Sequence, residues 1–530
     1  MLGINAYSDN VSFTRSNKSG DVRTAIWYIN DTHGQLSKMD RMKTSSDVFD
    51  KNFKRKKSVD ALKLSAGDVL SGNNVERNTL WIKFLNMIKL DASAIGNHEL
   101  DSEEKLFSQL IKKARFPFVA SNLTIKDTSP LKKRVDEGKL VKSTVVEKNG
   151  HKYGIVGTLP IDLKEICGDF QPLPGLQYSE KLDDAIKEVQ NEVDKIIKLN
   201  SSGDKKLNKV ILTSHLGYKN DLLLAQKVKG IDVIIGGHSH ELISGINQGS
   251  VEDIDQAVKN KVNVVYSPSG EPVIITQAGK NGLETGQLEL IFDKNGVIKP
   301  ELSKNIITDV NIFSKSQKIE NLKDKVLGKP VVISYLDNDC HPDKPYESEN
   351  PIANLVLDSV RQKSGAQVAL FNASTIRGVL DKGDVTTRDI EELFFFPNYF
   401  VKIELSEKDL LKALEQGAKT LNYKPELLQV SGIKYVVTPQ KTINEASIVA
   451  DDGSEIKLNT LNPSSDKKFT VACSDFLATG PIGLTALKVS EDAIIDKYKW
   501  TELDATIENI KLNYSKTLKL GHDNRIFVEK

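Results

Sequence analysis

Cysteine and long hydrophobic runs are both scarce in this sequence. Its 530 residues include three cysteines, Cys167, Cys340 and Cys473. Their odd number and wide spacing argue against a disulfide framework and against a cysteine-based metal site. No apolar run approaches the ~18 residues that a membrane-spanning helix needs. Residues 1–21 are polar and lack the apolar core of a secretory signal, so the sequence as written predicts a cytoplasmic location.

An excess of charge of either sign is also missing. Lys and Arg number 73 and Asp and Glu number 72, which gives a formal net charge of +1. This balance speaks against a large basic surface, so we predict no binding to nucleic acid or to an acidic membrane. Hydrophobic residues make up 39% and charged residues 27%, as in an ordinary globular protein. A chain of this length exceeds a single hydrophobic core, so we expect two large domains.

Short apolar strands alternate with helical patterns from Thr24 onward. The predicted strands are AIWYI from Ala25, ALKLS from Ala61, ASAI from Ala92, FPFVAS from Phe116, YGIVGT from Tyr153, KVILTS from Lys209 and IDVIIG from Ile231. Between them, segments 74–90 and 179–199 carry apolar residues at helical spacing. Residues 272–298 are typical of strands joined by glycine-containing turns. This alternation predicts an α/β domain with much parallel strand pairing.

The second half of the chain is predicted to form a separate domain. Residues 306–327 are charged and loosely helical, which suits a connecting helix. After Gly328 the pattern restarts with helices, a strand at QVALFN and further strands around GIKYVV. The predicted organisation is a disordered tail over 1–22, a first domain over 23–305, a linker helix over 306–328 and a mixed α+β domain over 329–530.

Polar side chains of the metal-binding type directly follow five of the predicted strands. They are Asp31 and His33 in NDTHG, Asp68 in SAGD, Asn97 in IGNHE, His215 in TSHLG, and His238 and His240 in GGHSH. In a parallel α/β sheet, ligands bind in the crevice beyond the carboxyl ends of the strands. Imidazole nitrogens with carboxylate and amide oxygens suit a divalent metal such as zinc, manganese, iron or cobalt. Each motif alone is more often an ordinary polar strand end, but together the motifs predict a metal centre.

As a set and in this order, these motifs resemble those of the calcineurin-like metallophosphoesterase superfamily. More closely, the chain from about Ile26 to its end resembles the 5′-nucleotidase/UDP-sugar hydrolase family, whose members add a C-terminal substrate domain. The resemblance implies a four-layer α/β/β/α sandwich for the first domain. It implies a mixed α+β substrate-binding fold for the second domain.

The resemblance also implies two adjacent divalent metal ions (Zn, Mn, Co or Fe). One would be held by Asp31, His33, Asp68 and His240, and the other by Asp68, Asn97, His215 and His238, with Asp68 bridging. Such a pair would neutralise phosphate oxygens and lower the pKa of a bridging water. His98 and Asp101 match the family's catalytic pair, in which the carboxylate orients the imidazole and favours its protonated form. Glu99 is predicted to lie at a helix start or on the surface.

The second domain carries four residues that match the family's substrate-binding motifs. In LFNASTIRG, Asn372 and Arg377 match an Asn-Gly-Gly-Gly-Ile-Arg loop, whose guanidinium can grip a phosphate. Phe396 in ELFFFPNYF and Phe476 in CSDFLATGPIG match two aromatic residues that stack on the nucleotide base. Without the family, each ring is more readily a core residue.

Two departures from the family fall on nucleotide-recognising positions. Ile482 stands where the family has a ribose-binding aspartate, and isoleucine cannot accept a hydrogen bond. Tyr346 lies near the position where an arginine is usual, and Lys344 is the nearest cation. Neither departure touches the predicted metal ligands.

The sequence therefore predicts a binuclear-metal phosphoesterase that hydrolyses a small nucleotide phosphate ester, without a nucleic-acid partner or a membrane span. The departures leave open the same chemistry on 2′,3′-cyclic nucleotides, UDP-sugars or a non-nucleotide phosphomonoester. A third interpretation is an inactive binding protein with the same fold, which the complete set of ligands and the His98–Asp101 pair disfavour. Relatives in the family are mostly periplasmic or extracellular, so the resemblance and the polar N-terminus point to different locations.

Overall fold

The computed structural model describes residues 20–529, apart from residues 55, 73, 102, 165–172, 202–205, 343–346, 395–397, 420–426 and 481–483. Most of the predicted tail and Cys167 therefore lie outside the described residues. The chain divides into two compact units, unit 1 (Met1–Lys329) and unit 2 (Pro330–Lys530). Of the helices described, none combines the length and the hydropathy that a bilayer crossing requires.

Strands and helices alternate through most of unit 1. The strands are β1 (Val22–Ile29), β2 (Asp60–Ser65), β3 (Ala92–Ala94), β4 (Phe118–Val119), β5 (Leu123–Ile125), β6 (Leu140–Val141), β7 (Ser143–Lys148), β8 (His151–Thr158), β9 (Leu176–Tyr178), β10 (Val210–Ser214), β11 (Val233–Gly236), β12 (Leu242–Ile243), β13 (Val264–Tyr266), β14 (Pro272–Ala278), β15 (Glu284–Phe292) and β16 (Lys304–Asp309). The helices are α1 (Met39–Phe49), α2 (Val75–Ile88), α3 (Glu104–Ile111), α4 (Lys132–Asp136), α5 (Leu182–Leu199), α6 (Tyr218–Ala225), α7 (Ile254–Lys259) and α8 (Gln317–Leu327).

The strands of unit 1 form two large sheets and one small sheet, the pair β5-β9. Sheet 1 has the order β16-β15-β1-β2-β3-β4-β6, and sheet 2 has the order β12-β14-β11-β10-β8-β7 with β13 beside β14. In sheet 1, β1 to β4 and β6 run parallel to one another. Strand β15 pairs antiparallel with both of its neighbours, β1 and β16. In sheet 2, β8, β10, β11 and β14 run parallel. The predicted parallel pairing is therefore confirmed.

Both faces of each large sheet are buried. Trp27 and Ile29 of β1 pack in the apolar cluster formed with α1, α2, α3 and α8, whereas Tyr28 packs between the two sheets. In sheet 2, Leu212 and Ile234 pack in the cluster formed with α5, α6 and α7. Because alternate side chains of a strand point to opposite faces, this pattern requires helices outside both sheets. Unit 1 is the four-layer α/β/β/α sandwich that the resemblance implied.

Local sequence signals explain helix α2. Asn74 precedes the helix in an extended conformation, and its side chain accepts a hydrogen bond from the Arg77 N–H at 2.9 Å. Such a cap satisfies a backbone donor that the first helical turn leaves unpaired. Leu80, Trp81 and Phe84 recur at helical spacing and are buried in the cluster with sheet 1. The helix predicted from this spacing is confirmed.

The connecting helix predicted over residues 306–328 begins later than expected. Lys304–Asp309 form strand β16, which pairs with β15, and α8 occupies only Gln317–Leu327. The strand is formed by its pairing with β15, and Oδ1 of Asn305 also accepts a hydrogen bond from the Thr276 hydroxyl of sheet 2 at 2.9 Å. Contacts between residues so far apart in sequence cannot be predicted from the local charge pattern. Helix α8 packs against α1 and α2, within unit 1.

Unit 2 is a mixed α+β domain. Its strands are β17 (Val332–Leu336), β18 (Val368–Asn372), β19 (Gly383–Thr386), β20 (Tyr399–Ser406), β21 (Leu428–Ser431), β22 (Ile433–Val437), β23 (Ile443–Val449), β24 (Glu455–Lys457), β25 (Lys468–Ser474), β26 (Ile494–Thr501) and β27 (Ile526–Val528). Its helices are α9 (Pro351–Ser364), α10 (Thr387–Glu391), α11 (Glu407–Lys419) and α12 (Glu502–Asn513).

The strands of unit 2 form a five-stranded sheet, β21-β18-β25-β20-β26, a four-stranded sheet, β24-β23-β22-β27, and the pair β17-β19. Helix α9 begins with Pro351, and the Asn350 side chain accepts a hydrogen bond from the Ile352 N–H at 2.9 Å. Proline suits the first helical position because its missing N–H would have no partner there. Unit 2 thus has the mixed α+β fold that the resemblance implied.

Candidate metal centre

The predicted metal-binding residues lie at the carboxyl ends of neighbouring parallel strands. Asp31 and His33 follow β1, Asp68 follows β2, Asn97 follows β3, His215 follows β10, and His238 and His240 follow β11. Strands β1, β2 and β3 are adjacent in sheet 1, and β10 and β11 are adjacent in sheet 2. Because the two sheets pack face to face, the loops meet at one edge of the sandwich.

Two buried carboxylates lie at the centre of this cluster. Nε2 of His215 lies 3.7 Å from Oδ1 of Asp31 and 3.1 Å from Oδ2 of Asp68. Nε2 of His33 lies 3.9 Å and 3.6 Å from the same two oxygens. Nε2 of His240 lies 3.5 Å from Oδ1 of Asp31. The structure thus brings five of the seven predicted residues to distances at which their side chains could share cations.

Two of the predicted metal ligands each have a buried polar atom without a hydrogen-bond partner among the described residues. These atoms are Oδ1 of Asn97 and Nε2 of His215, which lies near Asp68 but not in hydrogen-bond geometry. A buried polar atom without a partner costs about 1–3 kcal/mol. A divalent cation would satisfy both atoms, and carboxylate, amide and imidazole donors are the ligands that such a cation prefers. The residues present therefore fit the metals that the sequence implies.

The electrostatics of the cluster also favour cations. Burial lowers the pKa of His215, but the charges of Asp68 and Asp31 outweigh this effect and raise the pKa to about 10. Burial likewise raises the pKa of Asp68, yet the imidazoles of His215 and His98 hold it well below its usual range. A buried carboxylate whose pKa is held this low stays ionised, and its negative charge attracts cations.

Uncharged oxygen acceptors orient two of the four predicted imidazole ligands. Nδ1 of His33 lies 2.8 Å from Oδ1 of Asn281, and Nδ1 of His215 lies 2.6 Å from the carbonyl oxygen of Ala66. When Nδ1–H donates to an oxygen, Nε2 carries the lone pair that can bind a metal. In both residues Nε2 is the nitrogen that faces the carboxylates.

His238 is placed differently from the other predicted imidazole ligands. Its backbone N–H donates to the two carboxylate oxygens of Asp31 at 3.0 and 3.1 Å. Its ring lies beside that of His215, with the ring centroids 5.2 Å apart. Its Nε2 lies 3.2 Å from Oδ2 of Asp162, a residue that no sequence motif marked.

The predicted pair of His98 and Asp101 lies beside the carboxylates. Nδ1 of His98 is 2.7 Å from Oδ2 of Asp101, which also accepts a hydrogen bond from the Gly72 N–H at 2.8 Å. The backbone N–H of His98 donates to Oδ1 of Asp68 at 2.8 Å. The ring meets that of His33 edge-on, with centroids 5.1 Å apart. Asp101 therefore holds Nδ1, and Nε2 is the nitrogen that could meet a substrate.

Glu99 lies in the short 3₁₀ helix His98–Leu100, in keeping with the expected helix start, whereas the alternative surface position is wrong. Its side chain is 1% exposed and accepts four backbone hydrogen bonds. Oε1 accepts from the N–H groups of Val69 and Leu70, and Oε2 accepts from those of Asp68 and Gly96, at 2.7 to 3.0 Å. Glu99 thus ties the loop after β2 to the loop after β3. The sequence could not reveal this role because the partners are backbone groups of another loop.

Asn30 is a further residue that sequence reasoning missed. Its Nδ2 donates to Oδ2 of Asp31 at 2.7 Å and to the carbonyl oxygen of Gly279 at 2.8 Å. Its Oδ1 accepts a hydrogen bond from the Ala278 N–H at 2.8 Å. The residue therefore holds Asp31 and connects β1 with the end of β14. Its position directly before Asp31 was the one available signal, and it does not distinguish Asn30 from an ordinary strand end.

Two of the predicted substrate residues lie in one loop of unit 2. Asn372 ends β18, and its amide group bonds to the hydroxyls of Ser374 and Thr375 at 2.6 and 3.2 Å. Arg377 follows in the same loop and donates through Nε to the carbonyl oxygen of Ser374 at 3.1 Å.

Phe476 follows β25, the parallel neighbour of β18, and is half-buried against the core of unit 2. It therefore lies at the same sheet end as the loop of Asn372 and Arg377. Phe396 lies outside the described residues, as do the two departures at Tyr346 and Ile482.

Unit 2 also holds one exposed group of metal-type ligands. Asp339, His341 and Asp381 have ligand atoms within 4.8 Å of one another, and all three are exposed. Nε2 of His341 already lies within hydrogen-bond distance of Oδ1 of Asp381, at 2.7 Å. The group lacks the burial and the unpartnered atoms of the strand-end cluster, so the candidate metal centre is the one in unit 1.

Family models match both halves of the chain. Residues 24–242 match the family of calcineurin-like phosphoesterases, and residues 332–489 match the C-terminal domain of 5′-nucleotidases. The first match contains every predicted metal-binding residue as well as His98 and Asp101. The second contains the four predicted substrate residues.

Individual proteins are similar over most of the chain. It is 28% identical over 514 residues to the trifunctional nucleotide phosphoesterase protein YfkN of Bacillus subtilis, covering 88% of this chain and 32% of that protein. It is 28% identical over 464 residues to a 5′-nucleotidase of Homo sapiens, covering 82% and 77%. The crystal structure of a 5′-nucleotidase precursor from Thermus thermophilus superposes with a TM-score of 0.71 and 25% identity, covering 96% and 99%. The chain therefore spans about a third of the Bacillus protein and most of the other two.

An α/β/β/α sandwich with acidic, amide and imidazole donors at its strand ends defines a metallophosphoesterase, an enzyme class that depends on divalent metals. The domain that follows the sandwich narrows this class. With both domains matched in this order, the chain belongs to the 5′-nucleotidase family.

Proposed function

We propose that this protein hydrolyses the phosphate esters of nucleotides with the help of two divalent cations. The observation that carries the proposal is the convergence of the buried Asp31 and Asp68 with the imidazoles of His33, His215 and His240, in which Nε2 of His215 has no hydrogen-bond partner among the described residues. Oδ1 of Asn97, in the loop after β3, is likewise buried and without a partner there. One cation is assigned to Asp31, His33, Asp68 and His240, and the other to Asp68, Asn97, His215 and His238, with Asp68 shared.

Cations bound here would neutralise phosphate oxygens and lower the pKa of a bound water. The resulting hydroxide could attack phosphorus near neutral pH. Zinc, manganese, cobalt and iron are the candidates because the donor set mixes nitrogen with oxygen. The contribution of Asn97 is an uncharged oxygen, so it binds a cation without adding to the negative charge of Asp31 and Asp68.

His98, oriented by Asp101, is assigned the role of donating a proton to the departing oxygen. Asp101 accepts the Nδ1–H of His98 at 2.7 Å, which fixes the orientation of the ring and stabilises its cationic form. The Nε2–H of a cationic His98 can then donate to the ester oxygen as its bond to phosphorus breaks. General acid catalysis by a positioned imidazole typically contributes 10²–10⁴-fold to the rate.

Recognition of the nucleotide is assigned to unit 2. The Arg377 guanidinium suits a phosphate oxygen pair, and an aromatic ring such as Phe476 suits the face of a base. Asn372 shapes the loop that carries Arg377, through its bonds to Ser374 and Thr375. The relatives named as nucleotidases support a nucleotide over other phosphate esters.

A substrate panel with matched variants tests the proposal. The metal-supplemented protein is assayed on nucleoside monophosphates, UDP-glucose, 2′,3′-cyclic nucleotides and an aryl phosphate. We expect the nucleotides to be hydrolysed fastest, Asp68→Ala to lose turnover, and His98→Gln to lose about 10²–10⁴-fold in kcat while keeping its metal content. Asp183→Ala, an exposed change on α5 with a side chain 84% exposed, is the control.

A folded, metal-loaded protein without turnover on any of these esters would contradict the proposal. A clear preference for an ester without a base would contradict the nucleotide assignment alone. Unchanged turnover in Asp68→Ala would show that the cluster is not the reaction centre.

A further inference from the structure

Asp162 lies at the metal centre although no sequence motif marks it. Strand β8 is the parallel neighbour of β10, so the loop that follows β8 leaves the sheet at the same edge as the loop of His215. Oδ2 of Asp162, in that loop, is 3.2 Å from Nε2 of His238. A sixth strand therefore contributes a polar side chain to the cluster.

The loop that carries Asp162 is anchored on both sides. Leu159 and Leu163 are fully buried in the apolar cluster on the helical side of sheet 1. Ile161 packs against the cluster on the helical side of sheet 2. The Leu159 N–H also donates to Oδ1 of Asn122 at 3.0 Å. These contacts hold the backbone around Asp162, so its approach to His238 is built into the fold.

His238 differs from His33 and His215 in the ring nitrogen that is hydrogen-bonded and in the kind of group that bonds to it. His33 and His215 are held at Nδ1 by uncharged oxygens, whereas His238 is held at Nε2 by a carboxylate. The Asp162 side chain is 41% exposed, yet its Oδ1 is shielded from solvent and has no hydrogen-bond partner among the described residues.

We propose that Asp162 is the positioning residue for His238. By accepting the Nε2–H, it selects the tautomer whose Nδ1 carries the lone pair, and its charge makes the imidazole a stronger electron donor. Carboxylate–histidine–metal arrangements of this kind strengthen metal binding, and losing the outer partner typically costs 10–100-fold in affinity. The inference rests on the proposed function, because it concerns the cation assigned to Asn97, His215 and His238.

The test measures cation binding without turnover. The full-length protein, stripped of metal, is titrated with Mn²⁺, and free Mn²⁺ is counted by electron paramagnetic resonance. We expect two binding steps in the wild type, with one step weakened about 10–100-fold in Asp162→Asn and abolished in His238→Ala. Asp183→Asn, which removes an exposed carboxylate paired with Lys227, is expected to leave both steps unchanged.

A second measurement reads the imidazole itself. In protein labelled with ¹⁵N-histidine and loaded with Zn²⁺, the wild type should show His238 with its proton on Nε2, assigned by comparison with His238→Ala. Asp162→Asn should weaken that proton's hydrogen bond and shift its resonance.

Several results would overturn the inference. An Asp162→Asn protein with both Mn²⁺ steps at wild-type affinity would mean that the carboxylate has no influence on the site. A loss as complete as that of His238→Ala would mean that Asp162 is a direct ligand, since the amide oxygen of asparagine can still accept the Nε2–H. A wild-type protein that binds neither Mn²⁺ nor Zn²⁺ would overturn the proposed function together with this inference.

Discussion

Five residues of the candidate metal centre adopt a backbone conformation that residues other than glycine rarely take. The φ angles are 47° for Asp31, 50° for His33, 51° for Asp68, 77° for His238 and 61° for His240. Each such residue costs of the order of 1–3 kcal/mol and persists only where its surroundings hold it. Here the loops hold one another, since the His33 N–H donates to the Asp68 carbonyl oxygen at 2.8 Å. Strain concentrated at one cluster is typical of a functional site.

Glu99 is the residue whose replacement tests this arrangement most directly. Each of its oxygens accepts two backbone N–H groups. In Glu99→Gln one oxygen becomes an NH₂ group, which faces two donors and can accept from neither. We expect a loss of about 2–4 kcal/mol in the free energy of unfolding, because two buried donors lose their acceptor. Urea unfolding followed by tryptophan fluorescence measures this loss.

The neighbouring, exposed Glu103 offers a matched control. Glu103→Gln should stay within about 0.5 kcal/mol of the wild type, as surface substitutions usually do. If Glu99→Gln were equally mild, Glu99 would not be what holds the two loops together.

At the scale of elements, strand ends position the candidate metal ligands, and helix capping positions Glu502. Parallel pairing of β1, β2 and β3 aligns three loops in sheet 1, and β8, β10 and β11 do the same in sheet 2. Helix α12 of unit 2 begins in a similarly determined way. Thr501 and Asp504 form a reciprocal capping box, and the first helical residue, Glu502, is fully buried. Its carboxylate accepts a hydrogen bond from the Asn398 N–H at 2.9 Å.

Glu502 makes the stability of unit 2 depend on pH. Burial raises its pKa to about 8, above the ordinary value of 4.5. The folded state therefore binds a proton more tightly than the unfolded state, so this contribution to stability is complete below about pH 4.5 and is lost as the pH rises through about 8. Each tenfold difference in proton affinity corresponds to about 1.4 kcal/mol. As the pH is raised from 5 to 9, we expect the urea midpoint of unit 2 to decrease in the wild type and to decrease less in Glu502→Gln.

Cys473 reports on unit 2 alone in this experiment. It is a free, fully buried cysteine in β25, so a thiol reagent reaches it only after unit 2 unfolds. Its labelling by pulses of reagent, quantified by mass spectrometry, gives the urea midpoint at each pH. Equal pH dependence in the wild type and in Glu502→Gln would show that Glu502 is not the source.

At the scale of the whole molecule, chemistry and recognition are assigned to different units. Every candidate metal ligand belongs to unit 1, whereas Asn372, Arg377 and Phe476 belong to unit 2. A ligand that binds only the folded state stabilises it by RT ln(1 + [L]/Kd). The free energy of cation binding should therefore stabilise the unit that holds the ligands.

Removal of the metals should act on unit 1 selectively. We expect a chelator to lower the free energy of unfolding of unit 1 by about 2.7 kcal/mol for a cation present at 100 times its Kd, and to lower its urea midpoint accordingly. Two of the three tryptophans, Trp27 and Trp81, are buried in unit 1. Their fluorescence, measured in a Trp500→Phe background, follows the unfolding of unit 1, while Cys473 labelling follows unit 2. Equal shifts of both probes, or none, would contradict the assignment of the metals to unit 1. Restoring Mn²⁺ or Zn²⁺ should reverse the shift.

The sequence predicted the parts of this protein that leave a local pattern. The apolar strands, helix α2 and the polar residues after each strand are all recognisable within a few consecutive residues. Helix α1 was missed because its buried face includes Ser45 and Ser46, which interrupt the apolar spacing. Their partners are the Trp27 indole and the Lys63 ammonium, at 3.0 and 2.7 Å. Such pairings join distant segments and cannot be read from neighbouring residues.

The amino-acid sequence by itself determined the order of the elements and the chemical type of side chain that ends each central strand, because both depend on short-range spacing. Only the tertiary structure decided that loops separated by up to about 200 residues meet, and which atom of each imidazole faces the carboxylates. Those outcomes depend on how two sheets pack and on hydrogen bonds from residues such as Asn30, Glu99 and Asp162. Their partners become neighbours only when the chain is folded.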